Sequence, residues 1–357
     1  MLRNRNDEQM GRAVRSWSLP LRRFGAIAVV VAGLAVGVTV YAATSAVKPL
    51  GPASASNPAQ RMSVVAVIGG RPFSPTSPWN TPIARNTQWF ETALLHTHRD
   101  GPMHYWVGTG NAIVWYSKPT DPLWTFQMPN FIDAAMNRNR PAQTISVRAP
   151  ANLRNGGDVD GVLVVVDGSR YYEVWHATVN PTTRTVTGQA WAMGDFVSGP
   201  GAGTVGNNDG VRASNFSWAA GLITGHDLAS GEIDHALAIA LPAPLLLASA
   251  NSHRPPATAW DNGAGRGPIR MGSRIGIPAG VAKPSGLSSI GSMMFDALQR
   301  YGAFVGDYVG GDWPMFYTDQ NTVTPQQVAP LYEFWNYGGS ADMDKIAPLL
   351  RVADYQP

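Results

Sequence analysis

Between residues 208 and 242 the chain crowds His226 and His235 together with Arg212, Trp218 and several carboxylates, just ahead of an unbroken apolar run. The segment 231–241, GEIDHALAIAL, alternates only loosely before that run, the pattern of a strand buried on both faces. His235 is therefore expected inside, where each ring nitrogen needs a partner. It reads either as a core histidine with ordinary partners or as an imidazole held for proton transfer.

A second cluster sits in 160–177, DGVLVVVDGSRYYEVWHA, which reads as a hairpin turning at Gly168-Ser169. Two-residue alternation puts Tyr171, Glu173 and Trp175 on one face and Tyr172, Val174 and His176 on the other. Aromatic rings that stack on a pyranose, beside a carboxylate that binds hydroxyls or donates a proton, are what a sugar site requires. A solvent-facing ladder of cross-strand pairs would give the same pattern.

A glycosidase built on two carboxylates needs an acid of raised pKa and an ionised partner, roughly 5–5.5 Å apart for retention or 6.5–9.5 Å for inversion. Glu173 is the expected acid because Tyr171 and Trp175 would desolvate it, with Asp160 or Asp307 as the partner. A polysaccharide lyase would instead take a proton beside a uronate carboxylate, using His235 or Tyr172 as base and Arg212 to neutralise the acid. Glu173, His235, Asp160 and Asp307 are thus the candidate catalytic residues. Tyr171, Trp175, His226, Arg212, Trp218 and Tyr301 are the candidates for substrate binding.

Other chemistries find less support. There is no GxSxG elbow and no cysteine, so no nucleophilic triad or thiolate metal site is expected. The glycine-rich stretch 198–206 lacks a following Lys-Ser/Thr and is given no phosphate role. His96, His98 and His104 fit no familiar zinc spacing, so no metal is assigned. Asp158 and Asp160 in NGGDVDG offer oxygen ligands for Ca²⁺, but such turns commonly make only Asx bonds, and no cofactor is expected.

The elements that must position these residues read as short strands. Glycine (38) and proline (28) favour many turns over long helices. The segment 103–117 splits into two aromatic strands around Gly108-Thr109-Gly110-Asn111, expected as a hairpin, and strands are expected at 63–68, 145–149, 185–193 and 302–311. Helices are expected at 86–95, at 288–301, where serines precede apolar residues at helical spacing, and at 325–334 and 342–350.

Charged residues make up only 14% of the chain against a usual quarter, which suits neutral ligands better than nucleic acid. Of 27 basic and 24 acidic residues, six arginines and two acids fall in the first 24 positions, leaving the remainder near neutral at 21 against 22. That basic start precedes 24–43, FGAIAVVVAGLAVGVTVYAA, which is uncharged and long enough to span a bilayer. The expected organisation is a basic cytoplasmic N-terminus (1–23), a transmembrane or signal segment (24–43), a Pro/Ala/Ser linker (44–62) and an exported domain (63–357).

Five blocks together, PWNTPI (78–83), DGVLVVVD (160–167), YYEVWHA (171–177), GEIDHALAIALP (231–242) and ALQRYGAFVGD (297–307), resemble a broad group of secreted actinobacterial proteins. The resemblance implies a compact secreted β domain with Asp160, Glu173, His235 and Asp307 in shared blocks. It implies no particular activity. That group often carries a polar residue where this chain has Val162.

The expected fold is all-β, a jelly-roll-type sandwich with a few peripheral α-helices. The expected function is a secreted or membrane-tethered carbohydrate-active enzyme, a glycoside hydrolase or polysaccharide lyase acting on polysaccharide or cell-wall glycan. The alternative is a noncatalytic glycan-binding or structural cell-envelope protein. In either case the expected location is extracellular or at the cell surface, with the membrane met through the N-terminal helix and no nucleic-acid partner.

Overall fold

The computed structural model describes residues 71–353 except 99–100, 134–137, 158–159, 203–209, 248, 250–251, 262–264 and 332–341. The segments 1–23, 24–43 and 44–62 and the strand expected at 63–68 lie outside the described residues. Among the described residues no helix is long and apolar enough to cross a membrane. All of them belong to one compact unit, Ala53–Pro357.

Strands dominate, and they form three main sheets. The largest has seven strands in the order β1 (Trp89–Phe90), β19 (Arg351–Ala353), β16 (Arg274–Gly276), β17 (Ala303–Tyr308), β15 (Leu237–Leu241), β18 (Met315–Asp319) and β4 (Trp106–Ala112). A four-stranded sheet runs β14 (Ala190–Asp195), β11 (Arg170–Trp175), β10 (Leu163–Asp167) and β5 (Val114–Tyr116). A second four-stranded sheet runs β12 (Thr178–Asn180), β13 (Thr185–Thr187), β6 (Leu123–Met128) and β9 (Gln143–Arg148). Two small ribbons, β2 (Thr97–His98) with β3 (Gly101–Pro102) and β7 (Phe131–Asp133) with β8 (Arg138–Arg140), complete the strands.

The sheet containing β10 and β11 is covered on both faces, and alternation along β10 assigns each side chain to a layer. Val164 and Val166 join the large apolar cluster that includes Leu237, Ile239, Phe304 and Phe316 of the seven-stranded sheet. Leu163 and Val165 join a separate cluster with Trp124, Phe126, Val147 and Val186 of the other four-stranded sheet. This double burial explains why LVVVD has no polar alternate residues. The hairpin turns at Gly168-Ser169 with Asp167 opposite Arg170, and Gly168 takes φ 65°, a left-handed conformation that glycine adopts without strain.

Of the helices, α1 is Gly225–Ser230, α2 is Ser289–Arg300 and α3 is Met343–Ile346, the last continued by a 3₁₀ turn Ala347–Leu349. As expected, α2 is capped by Ser288, whose Oγ accepts from Gly291 N at 3.1 Å, and it buries Ile290, Met294 and Leu298. A 3₁₀ helix spans Pro325–Leu331.

Four expectations are corrected. A jelly roll is antiparallel throughout, whereas β15 with β17, β18 with β4, β10 with β5, and β13 with β6 pair in parallel. The segment 103–117 is not a hairpin: β4 continues through Gly108 to Ala112 and then β5 leaves for a different sheet. The helix expected at 86–95 is only the 3₁₀ turn Ala93–Leu95, because Trp89–Phe90 pairs with β19 at the sheet edge. The strand expected at 185–193 is divided between β13 and β14, which lie in different sheets.

Candidate functional site

Glu173 lies at the centre of β11 with its side chain turned toward the large cluster, and it is fully buried. Its carboxyl accepts from Val211 N at 3.2 Å, Ala219 N at 3.4 Å and the Ser217 hydroxyl. Burial pushes its pKa up to about 7, against the pull of these donors and of the Arg212 charge. Glu173 is thus an internal anchor that fastens the segment 210–219 to the sheet. Tyr171 is buried as well, edge-on to Phe73 at 6.0 Å, so of the three residues expected to line a sugar surface only Trp175, at the strand end, reaches solvent. The open Tyr171/Glu173/Trp175 surface is corrected on this ground: another layer covers that face of the sheet.

The anchored segment carries Arg212 into the interior. Its guanidinium Cζ stands 3.9 Å from the Trp218 ring centre and 4.4 Å from that of Tyr317, and Nη1 donates to Asp307 Oδ2 at 2.7 Å. The other Asp307 oxygen accepts from Ala213 N at 2.8 Å, while Ser214 N donates to Gly306 O at 3.1 Å, which pins the turn to β17. The turn closes tightly enough that a Cβ on Gly210 would sit 1.8 Å from Phe216 O, so only glycine fits there. Asn215 holds φ 65°, and its side-chain oxygen accepts from Arg140 at 3.1 Å.

Asp160 arrives from the other side. Its Oδ1 accepts from the Trp175 indole at 3.2 Å, and the His176 ring packs 3.9 Å from the Trp175 ring. Asp307 is largely buried, with 14% of its side chain accessible. Burial pushes its pKa up to about 6, opposed by Arg212 and the Ala213 N–H and reinforced by the Asp160 charge. Five of the sequence-selected residues therefore converge here: Asp160, Asp307, Arg212, Trp175 and Trp218. The buried Trp218 Nε1–H has no acceptor among the described residues.

His235 and His226 fall elsewhere. His235 precedes β15 and is buried; Nδ1–H donates to Ala236 O at 3.0 Å, and Nε2 faces Asp227 Oδ2 at 3.4 Å. Burial would lower its pKa, but the Asp227 hydrogen bond and charge outweigh burial and raise it. Both histidines line a cavity of about 210 Å³ with Asp227, Asp319, Tyr116 and Phe196; His226 is exposed at its rim. Glu173 is not part of that lining, although Ala219, whose N–H it binds, is. The expected union of the Glu173 acid and the His235 imidazole in one cavity is thus corrected. Tyr301 belongs to neither group: its hydroxyl is bonded to Asp234 and accepts from Arg71 at 2.9 Å, and it is not among the residues lining the histidine cavity.

The residues that sequence reasoning missed are Asp227, Asp319, Tyr116 and Tyr317. Asp227 had a readable signal, the Thr-x-x-Asp capping pattern with Thr224. Asp319 and Tyr317 had none, since they reach the site through the parallel pairing of β18. Asp158 lies outside the described residues, and among those residues no cluster of three or more His, Cys, Asp or Glu is arranged to hold a metal ion.

Comparison with known proteins brings no relative to bear on this geometry: no family model, curated protein or solved structure matches the chain.

Proposed function

We propose that the chain is a carbohydrate-active enzyme, a glycoside hydrolase of extracellular or cell-wall glycan, exported or tethered through residues 24–43, with Asp307 and Asp160 as its reacting carboxylates. The observation that carries this reading is that Asp160, bonded to the Trp175 indole at 3.2 Å, lies near enough for its charge to act on Asp307, whose carboxyl is held up to about 6. Asp307 donates its proton to the glycosidic oxygen as the C–O bond breaks; Asp160 either takes a proton from the water that attacks the anomeric carbon, or attacks that carbon itself to form a glycosyl ester that water then hydrolyses with Asp307 as base. Trp175 supplies the stacking face, and Arg212 is a positioning residue that holds Asp307.

A lyase is disfavoured because its residues are engaged elsewhere: Arg212 is bound to Asp307, His235 to Asp227, and Tyr172 lies in the opposite apolar cluster. The test is release of reducing ends from a panel of neutral glycans. Wild type is expected to be active, Asp307→Asn and Asp160→Asn to lose at least 100-fold of kcat, and Trp175→Ala to raise KM. A folded wild type that is inert across the panel, or Asn variants that keep full turnover, would end this reading.

A noncatalytic glycan-binding role has one observation in its favour: both Asp307 oxygens already accept protein donors. It predicts saturable binding without turnover, lost in Trp175→Ala and unchanged in Asp307→Asn.

A further inference from the structure

We propose that the cavity at the start of α1 is a second, separate ligand site that takes a compact organic cation, an amine or quaternary ammonium of a few heavy atoms. At about 210 Å³ it falls below the roughly 300–1,000 Å³ of sites for larger molecules, so its occupant is small. Two carboxylates, Asp227 and Asp319, meet two aromatic rings there, Tyr116 and Phe196, which stand edge to face at 5.9 Å. Among the described residues neither lysine nor arginine contributes to the lining.

The hydrogen-bonding inventory narrows the ligand further. The Thr224 and Thr322 hydroxyls already donate to Asp227 and Asp319 at 2.8 Å each, and both nitrogens of His235 are engaged. With the threonine hydroxyls and His235 committed, the His226 ring at the rim and the Tyr116 hydroxyl are the side-chain donors left beside two carboxylates and two π faces, a balance that suits a positive donor over a carboxylate or phosphate. The fields of both acids reach one point: after burial, the charges of Asp319 and Asp227 are what raise the Tyr116 hydroxyl. His235 balances one of the two acids, which leaves Asp319 to meet the cation with the face of Tyr116.

The experiment is calorimetric titration of the purified chain with choline and with ethanolamine, using 3,3-dimethylbutanol, the neutral isostere of choline, and sodium acetate as neutral and anionic controls. Binding of a cation with no binding of either control is expected. Asp319→Asn keeps an oxygen for the Val114 and Asn321 N–H groups while removing the charge. It should weaken choline binding about 10-fold, and Tyr116→Leu about 5-fold. The proposal is overturned if neither cation binds wild type, if dimethylbutanol or acetate binds as tightly, or if both folded variants retain wild-type affinity. None of these outcomes bears on glycan turnover at Asp160 and Asp307, so the two readings fail independently.

Discussion

Glu173 is a carboxyl whose pKa the fold holds well above the usual carboxylate range. Its pKa stands at about 7 instead of 4.5, so the native state holds that proton more tightly than the unfolded chain does. The sign follows: stability is fullest below about pH 4.5 and declines as pH rises to about 7. Asp307 acts the same way between 3.8 and about 6. At 1.4 kcal/mol per pH unit, the Glu173 contribution to the decline is roughly 3 kcal/mol. Glu173→Gln should flatten this slope in calorimetric melting curves between pH 4.5 and 7; an unchanged slope would remove Glu173 as its cause. Arg212→Met tests the neighbouring pair. It strands the Asp307 charge and should cost about 3–5 kcal/mol in urea unfolding, with much of the loss recovered when Asp307→Asn is added. The residue types at this site were legible in the sequence, since Asp160, Asp307, Arg212, Trp175 and Trp218 do assemble. The role of Glu173 was not: alternation tells which side chains share a face but not whether another layer covers it, and the covering residues here, Phe73 and the segment 211–219, come from distant parts of the chain.

Among the elements, α1 is the one on which the cavity depends. It is only six residues long and owes its start to a reciprocal cap, with Thr224 N and Oγ1 donating to Asp227 Oδ2 at 2.7 and 2.8 Å and Asp227 N donating back to Thr224 Oγ1 at 3.3 Å. Gly231 closes it at φ 74°. Thr224→Ala should cost about 1 kcal/mol in thermal or urea unfolding. The same carboxylate holds His235, and the sign of that coupling is the same as that of Glu173 although the pH window lies higher. A histidine raised in the native state contributes stability below its ordinary value of 6.5 and loses it as pH climbs through the raised value. Asp227→Asn leaves burial opposed only by the Ala236 carbonyl and the Asp234 charge, so the imidazole midpoint, followed by ring-proton NMR, should fall from its wild-type value; a midpoint that does not move would refute Asp227 as the cause. Elements with local signals were readable, among them α2 with its serine cap and the β10–β11 hairpin with its glycine turn. The division of 103–117 between two sheets was not, because it is decided by β18 and β10, pairings separated by some 50 to 200 residues in sequence.

For the whole molecule, the decisive feature is that one sheet serves two apolar clusters. Val164 and Val165 are adjacent on β10 and both fully buried, yet Val164 packs in the cluster with the seven-stranded sheet and Val165 in the one with Trp124 and Phe126. A sheet buried on both faces cannot lose one cover without exposing a row of valines to water, at roughly 25 cal/mol for each Å² uncovered. The two clusters should therefore melt together. Val164→Ala and Val165→Ala are each expected to cost about 2 kcal/mol through lost transfer energy and an imperfectly closed cavity. Both should shift a single transition, with far-ultraviolet dichroism and tryptophan fluorescence coinciding. Fluorescence is a fair judge because Trp115, Trp124 and Trp191 report one cluster, and Trp79 and Trp218 the other. If Val165→Ala produced an early step with its own midpoint, the outer four-stranded sheet would be an independent unit. The anchoring of the 210–219 segment by Glu173 would then have to survive its loss, and Asp160 and Asp307 could stay together without the third layer.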